Sequence, residues 1–274
     1  MLRPVISFFA GSCLLAAAAP TSSIGVIRSS GVFRVDGSSV RNNSTLFDGA
    51  LVETTAARSV LQLDAGEVTL APDSRAKVYH DRTVLEKGAG LLRDADKHEF
   101  EAGSLEIVPA TRDSVVQVDV QGPGRIAVAA RNGSALVRNS SGVLLASLQP
   151  GMELAFDAGE QGTTAVNITG VLQVRNGNYY ITDPITHVTI QVQGSNLAQY
   201  VGKKVEITGS QIPGATPAAG ATEVVQVTGI VPAGGGGGHH VGAYAIIGGV
   251  VIGGTLIGLA AAGTFHGSPT MSVN

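Results

Sequence analysis

The 274-residue chain holds six histidines, one cysteine and few clusters of acids, so there is little in it to do chemistry. His80-Asp81 and Asp96–His98 each put a carboxylate beside an imidazole, the beginning of a general-base pair. Such a pair works only against a placed nucleophile. No Gly-x-Ser-x-Gly turn accompanies them, and the one cysteine, Cys13, lies in the N-terminal apolar run. His239-His240 follows five glycines with no carboxylate nearby, short of the donor set that holds a metal ion. The residues therefore predict turn or surface histidines, no catalytic residue, no metal site, no cofactor, and a protein that is not an enzyme.

Tyr179, Tyr180 and Tyr200 are the other candidates, as weak binding residues. A tyrosine ring stacks on a sugar or a peptide. The reading makes Tyr179 the exposed ring and gives Tyr180 and Tyr200 to core or loop packing. Charges around them cancel: Arg175, Lys203 and Lys204 stand against Asp183, Glu206 and Glu223. The whole chain carries a formal charge of −3, so no basic excess exists to neutralise phosphates. That excludes nucleic acid as the expected partner.

Composition indicates the elements that position these residues. Aromatic residues make up 4%, tryptophan is absent, charged residues are 14%, and 37 residues are glycine. Strands must then pack through Val, Ile, Leu and Ala and be joined by tight turns. Residues 46–79 show this best. Leu61 and Leu63 share one face, Val68 and Leu70 continue the alternation past a turn, and Pro72-Asp73 ends it. Thr83–Leu92, Glu99–Val108 and Ser114–Val120 also read as strands. The charge-dense run Arg93–Glu101 reads as a solvated loop or edge. A weak repeat places Gly31 and Gly49 at the same separation as Gly133 and Gly151, so that one strand–turn–strand unit opens and closes the region.

The segment 1–19 has Arg3, an apolar run from Val5 and small residues at Ala16–Ala19. This is the order of a secretory signal, with an uncleaved anchor as the alternative. Ala10-Gly11-Ser12-Cys13 only faintly matches a lipoprotein box.

The order Asp48-Gly49-Ala50-Leu51-Val52, then Ser59, Leu61 and Leu63, then Asp64 to Gly66, then Val68, Leu70, Pro72 and Ser74, resembles the FecR-like domain of bacterial envelope proteins. The resemblance covers roughly residues 24–156. It implies a β-roll or sandwich domain over 22–157 that lies outside the cytoplasm.

Residues 166–231 read as five strands: Gly170–Arg175, Asn178–Thr182, Val188–Gln193, Lys204–Ser210 and Thr222–Ile230. Asn176-Gly177 gives the first hairpin its two-residue turn. Leu197–Val201 is a connector, and Ile212–Ala221 is a flexible loop. Five short strands in this length match a small Greek-key barrel. The run Tyr200-Val201-Gly202-Lys203-Lys204 through Gly209, with Glu223–Ile230 closing, resembles the OB-fold families of the bacterial envelope. The fold class expected is therefore all-β, a FecR-like roll plus an OB-like barrel. Fold analogy raises nucleic-acid or oligosaccharide binding, and the cancelling charges and few aromatics leave a sugar or peptide stacking on Tyr179.

Residues 232–240 form a Gly-rich linker. Residues 241–263 carry no charge and are long enough to cross a bilayer as a helix. Gly249 and Gly253, and Gly254 and Gly258, put small residues one turn apart, a spacing for helix packing and a possible homodimer. Residues 264–274 are a short tail. The expected protein is a membrane-anchored envelope scaffold, in the periplasm or on the cell surface, that contacts an envelope protein or senses a signal. The alternative is a carbohydrate- or wall-binding surface module. FecR-family regulators carry a cytoplasmic sigma-binding segment where this chain has a signal sequence, so anti-sigma activity is not expected.

Overall fold

The computed structural model describes residues 22–95, 97–122, 124–158, 165–233, 245–247 and 250–253. The signal segment and the tail read from the sequence lie outside them, as does most of the Gly-rich linker. The described chain is all-β. Its one helical turn is the 3-10 turn Leu197–Tyr200.

Two long strands, β1 (Ser23–Val35) and β7 (Arg82–Arg93), organise the N-terminal part, because each changes partner halfway along. Residues 25–29 of β1 pair with β4 (Ser59–Leu63), and residues 33–35 pair with β3 (Ala50–Thr54). Residues 83–87 of β7 pair with β6 (Arg75–Val78), and residues 90–93 pair with β5 (Gly66–Leu70). A strand can serve two sheets only if it bends. In β1 the register shifts between Arg28 and Val32. In β7 an extra residue, Glu86, is followed by Gly88 at φ +81°. Bulges and glycines provide that bend. β2 (Ser38–Phe47) runs the length of β1 and closes one edge.

From β7 the two sheets part. One continues through β8 (Glu99–Ala102), β9 (Leu105–Pro109), β12 (Ala135–Asn139) and β13 (Leu144–Leu148). The other continues through β10 (Val115–Gly122), β11 (Arg125–Asn132) and β14 (Glu153–Ala158). Phe33, Phe100, Phe156, Ile27, Leu61 and Leu92 are fully buried between them. Each such side chain contributes about 1.5–3 kcal/mol relative to exposure.

The charge-dense run differs from its sequence reading. Arg93 ends β7, and Glu99–Ala102 form an internal strand, β8, between β7 and β9. Ala95, His98 and Phe100 are buried there, so the acids mark the outward positions of a buried strand. The repeat is matched in part. Gly49 and Gly151 both turn the chain after a hairpin at φ +82° and +83°, whereas Gly133 has positive φ and Gly31 sits in the β1 bulge.

The C-terminal part is a closed barrel of β15 (Ala165–Arg175), β16 (Asn178–Thr182), β17 (Thr189–Gln193), β18 (Lys204–Gln211) and β19 (Val224–Pro232). The order around it is β15-β16-β17-β19-β18 and back to β15, with β17 and β19 parallel and the other pairs antiparallel. Ile168, Leu172, Ile181, Ile190, Val192, Val205, Ile207 and Val225 fill the interior.

The segment read as a membrane helix behaves otherwise where it is described. β20 (Ala245–Ile247) and β21 (Val250–Gly253) form an antiparallel hairpin. β21 pairs with β14 and β20 with β15, so the hairpin stitches the sandwich to the barrel. Ile246, Ile247, Val250, Val251 and Ile252 are β-branched, which favours a strand over a helix once a sheet edge is available. Gly253 is a strand residue opposite Ala155, not a helix-packing position. Gly249, Gly254 and Gly258 lie outside the described residues. Among the described residues no helix is long and apolar enough to cross a membrane.

Candidate functional site

His80 lies nearer Asp48 than Asp81, whose Oδ1 is 4.0 Å from its Nδ1, and Asp96 lies outside the described residues. His80 turns to Asp48: its N–H donates to Asp48 Oδ1 at 2.8 Å, and its Nδ1 lies 3.1 Å from the same oxygen. These bonds, first of all the one from the backbone amide, hold the Asp48 carboxyl below its ordinary value. The group is exposed and closes the turn that follows β2. Nearby, Tyr79 carries Arg82 at 4.5 Å and Lys77 at 5.4 Å over its ring.

His98 is buried instead, 1% exposed, with Nε2 at 2.9 Å from Thr83 Oγ1 and Nδ1 without a hydrogen-bond partner. Burial pushes its pKa down to about 4, against smaller upward pulls from the His80 carbonyl and Asp81. An imidazole this poor as a base, bonded to a strand threonine, is a packing residue.

Two buried serines, Ser74 and Ser114, hold corners, while Ser59 Oγ is buried without a hydrogen-bond partner. Ser74 Oγ accepts from Ala89 N at 3.1 Å, and Thr54 Oγ1 accepts from Ser74 N at 2.8 Å. Ser114 Oγ donates to Ser134 O at 2.9 Å and accepts from Thr111 N at 3.2 Å. Among the described residues no group of three or more His, Cys, Asp or Glu is placed to hold a metal ion. A cleft of about 660 Å³ opens where β7 passes from β8 to β10, lined by Val84, Leu85, Gly103, Val120 and Ile126 among others. Its walls are mostly apolar, with Glu86 and Lys87 the charged residues among them.

The outward face of β16 and β17 is the best-built polar surface. Strand alternation sends Asn178, Tyr180 and Thr182 outward from β16, and Thr189, Gln191 and Gln193 outward from β17. Register places Tyr180 opposite Gln191 and Thr182 opposite Thr189. Thr182 and Thr189 share a hydroxyl bond of 2.8 Å, and Gln191 Nε2 donates to Asn178 Oδ1 at 3.2 Å. Arg175 lies 5.5 Å from the Tyr180 ring centre and donates to Gln173 Oε1 at 2.6 Å.

This face is covered. The 212–222 loop crosses it, with Ala218 N donating to Gln191 Oε1 at 2.8 Å and Thr222 N donating to Thr189 O at 3.0 Å. Tyr180, Gln191 and Val224 are therefore outward yet only 5%, 6% and 2% exposed. The loop that the sequence presented as flexible is a strap with fixed anchor points.

At the foot of the strap Glu223 immediately precedes β19, two residues before the inward-facing Val225. Its carboxyl is buried, neither oxygen has a hydrogen-bond partner, and burial pushes its pKa up to about 7. Gln191 and Glu223 were missed in the sequence. The alternation of Glu223 with Val225 and Val227 was the signal that a carboxyl would enter an apolar row.

Of the tyrosines singled out in the sequence, only Tyr180 is on this face, and it is buried. Tyr179 is half-buried and packs inward against the barrel core, opposite to its expected exposure. Tyr200 is half-buried against the same core, with Lys203 5.8 Å over its ring. The three do not form one site. Compared with known proteins, the chain matches no family model, no curated protein and no solved structure.

Proposed function

We propose that this chain is a non-catalytic protein of the bacterial cell envelope, exported from the cytoplasm, in which a FecR-like β domain and an OB-like barrel act as protein-interaction or signal-sensing modules. The observation that carries the reading is the barrel order β15-β16-β17-β19-β18 with its parallel β17–β19 closure. That is the order of OB-type barrels, which use the face of their second and third strands and the adjoining loops for ligands. Here that face carries Tyr180, Gln191 and Asn178, and the loop before the last strand lies over it.

Glycan contact is the second reading, and it needs an exposed ring to stack on a sugar. Tyr180 is 5% exposed and Tyr179 packs inward, so neither ring offers a sugar a stacking face. The helical membrane anchor is left out of this reading, since Ala245–Ile247 and Val250–Gly253 pair as strands.

Cell fractionation with protease shaving tests the reading, using an epitope tag in the exposed turn Ser140–Gly142. An envelope-associated tag, cut only once the outer barrier is opened or cut on intact cells, supports export. A tag recovered intact from the cytosol rejects it.

A further inference from the structure

The strap over the barrel face is lightly held and has a carboxyl at its foot. Gln211 ends β18 and Val224 begins β19, so the strap is fixed at both ends. Between them no side chain of residues 212–222 is fully buried, and Ile212 is the one large apolar residue. A few hydrogen bonds hold it. Ala218 N donates to Gln191 Oε1 at 2.8 Å, and Ile212 N donates to Val224 O at 2.9 Å. Thr222 donates to Thr189 O twice, from N at 3.0 Å and from Oγ1 at 3.3 Å. Gly214 and Gly220, at φ +72° and +88° with open space around them, supply backbone freedom on either side of Ala218.

Glu223 follows the last anchor. Its carbonyl accepts the Gln191 N–H at 3.0 Å, which ties its backbone to the strand that also holds the strap. Its side chain is buried, and neither carboxyl oxygen has a hydrogen-bond partner. A neutral carboxyl bears such a site at modest cost, whereas an ionised one needs water or a donor.

The surrounding elements offer it no compensating charge. The strap, β17 and β19 carry no charged side chain. β16 brings Tyr179 and Tyr180 as titratable groups, and Arg175 lies 5.5 Å from the Tyr180 ring. In the turn between β16 and β17, Asp183 is committed to the Ile185 and Thr186 N–H groups at 2.8 Å each, and His187 follows it. Lys204 and Glu206 of β18 stand opposite Pro232 and Val231, at the far end of β19. Burial is the one cause of the raised Glu223 pKa. Among the described residues no metal-binding group of acids and histidines includes it.

We propose that Glu223 is a pH latch on the barrel face: the protonated carboxyl stays buried at the foot of the closed strap, and its ionisation frees the strap and uncovers Tyr180 and Gln191 for the partner. The latch rests on the reading of this face as the partner surface and adds its regulation. The strap yields before the barrel because it has no buried side chain to lose. Moving β19 instead would break its pairing with β17, where Val192 and Val225 sit opposite each other in the core.

The sign follows from the two forms. An open strap leaves Glu223 in water near the ordinary 4.5, and the closed form holds it at about 7. Between these values the closed form keeps a proton that the open form has lost. Opening therefore grows about tenfold per pH unit up to about 7 and then levels off.

Amide exchange of the full chain, followed by NMR from pH 4.5 to 8.5 and divided by the intrinsic rate at each pH, tests the latch. Protection at Ala218 and Thr222 should fall about tenfold per pH unit and then reach a plateau. Leu172 N, bonded to Lys203 O within the barrel, should stay more protected than either at every pH. Glu223→Gln keeps the shape and removes the charge, so its strap protection should not vary with pH. The wild-type slope carries the test even if that variant melts early. Constant strap protection in wild type overturns the proposal. So does the wild-type slope persisting in Glu223→Gln, or Ala218 and Leu172 exchanging at one rate, which would mean that the whole barrel opens. Exchange is read with no partner present, so failure here leaves the partner reading standing, and a face that meets no protein in cells leaves the latch standing.

Discussion

Ala218 donates its backbone N–H to Gln191 Oε1 at 2.8 Å, joining the middle of the 212–222 strap to an outward residue of β17. The same glutamine donates from Nε2 to Asn178 Oδ1 at 3.2 Å. One side chain therefore ties strap, β16 and β17 together. Gln191→Leu leaves a backbone donor and an amide acceptor without partners, a loss of about 1–3 kcal/mol. Amide exchange at Ala218 should quicken, and Tyr180 should react faster with a tyrosine-nitrating reagent. Unchanged protection at both would mean that Thr222 alone holds the strap.

Glu223 makes the protein less stable as pH rises. Burial lifts its carboxyl from 4.5 to about 7, so the folded protein keeps a proton that the unfolded chain has lost. The unfolded state binds fewer protons in that window, and stability falls between pH 4.5 and about 7. The total is about 3 kcal/mol at roughly 1.4 kcal/mol per pH unit. Glu223→Gln should match wild type near pH 4 and exceed it above pH 7 in urea denaturation. A constant difference across that range would mean that the carboxyl is ionised in the fold.

His98 acts in the opposite direction. Its imidazole is held at about 4 by burial, against 6.5 when free, so the unfolded chain gains a proton first as the solution is acidified. Stability is then lost as pH falls from 6.5 to about 4, again about 3 kcal/mol in all. His98→Gln removes the titration and should flatten the acid limb of the thermal-melting profile. A wild-type acid limb in that variant would assign the loss to other groups.

Gly88 sits at φ +81° with Ser74 packed directly against the position a Cβ would take. Gly142, at φ +77°, faces open space. Gly142→Ala bears only the left-handed backbone cost, about 1 kcal/mol. Gly88→Ala also displaces the Ser74 corner and should cost several kcal/mol more, about what overpacking and broken buried bonds cost together. Melting temperatures of the two variants check this, and similar values would show that the corner relaxes freely.

The barrel was legible because its signals are local. Asn176-Gly177 turns where both residues take positive φ, and all five expected strands appear, though β15 begins earlier at Ala165 and β19 later at Val224. The sandwich was legible as alternating strands, yet not in its topology. The partner changes of β1 and β7 rest on bulges, and one extra residue such as Glu86 leaves no mark in a glycine-rich sequence. An uncharged run of Ile, Val and Gly satisfies a membrane helix and a buried strand alike; residues 245–247 and 250–253 pair as strands on β15 and β14, and the rest of 241–263 lies outside the described residues. On the barrel face Tyr180 alone was singled out in the sequence, as a weak binding residue given to core or loop packing. The partners around it, Gln191 and Ala218, are 11 and 38 residues further along.

Site-specific photocrosslinking in intact cells tests the central claim, that this is an exported scaffold which meets a protein partner at the barrel face. The crosslinker would replace Gln173 or Gln193, exposed residues flanking the strap, with Ser140 as the control position. The account predicts discrete protein adducts in the envelope fraction from Gln173 and Gln193 and none from Ser140. Adducts with cytosolic proteins, or the same pattern from all three positions, would contradict it.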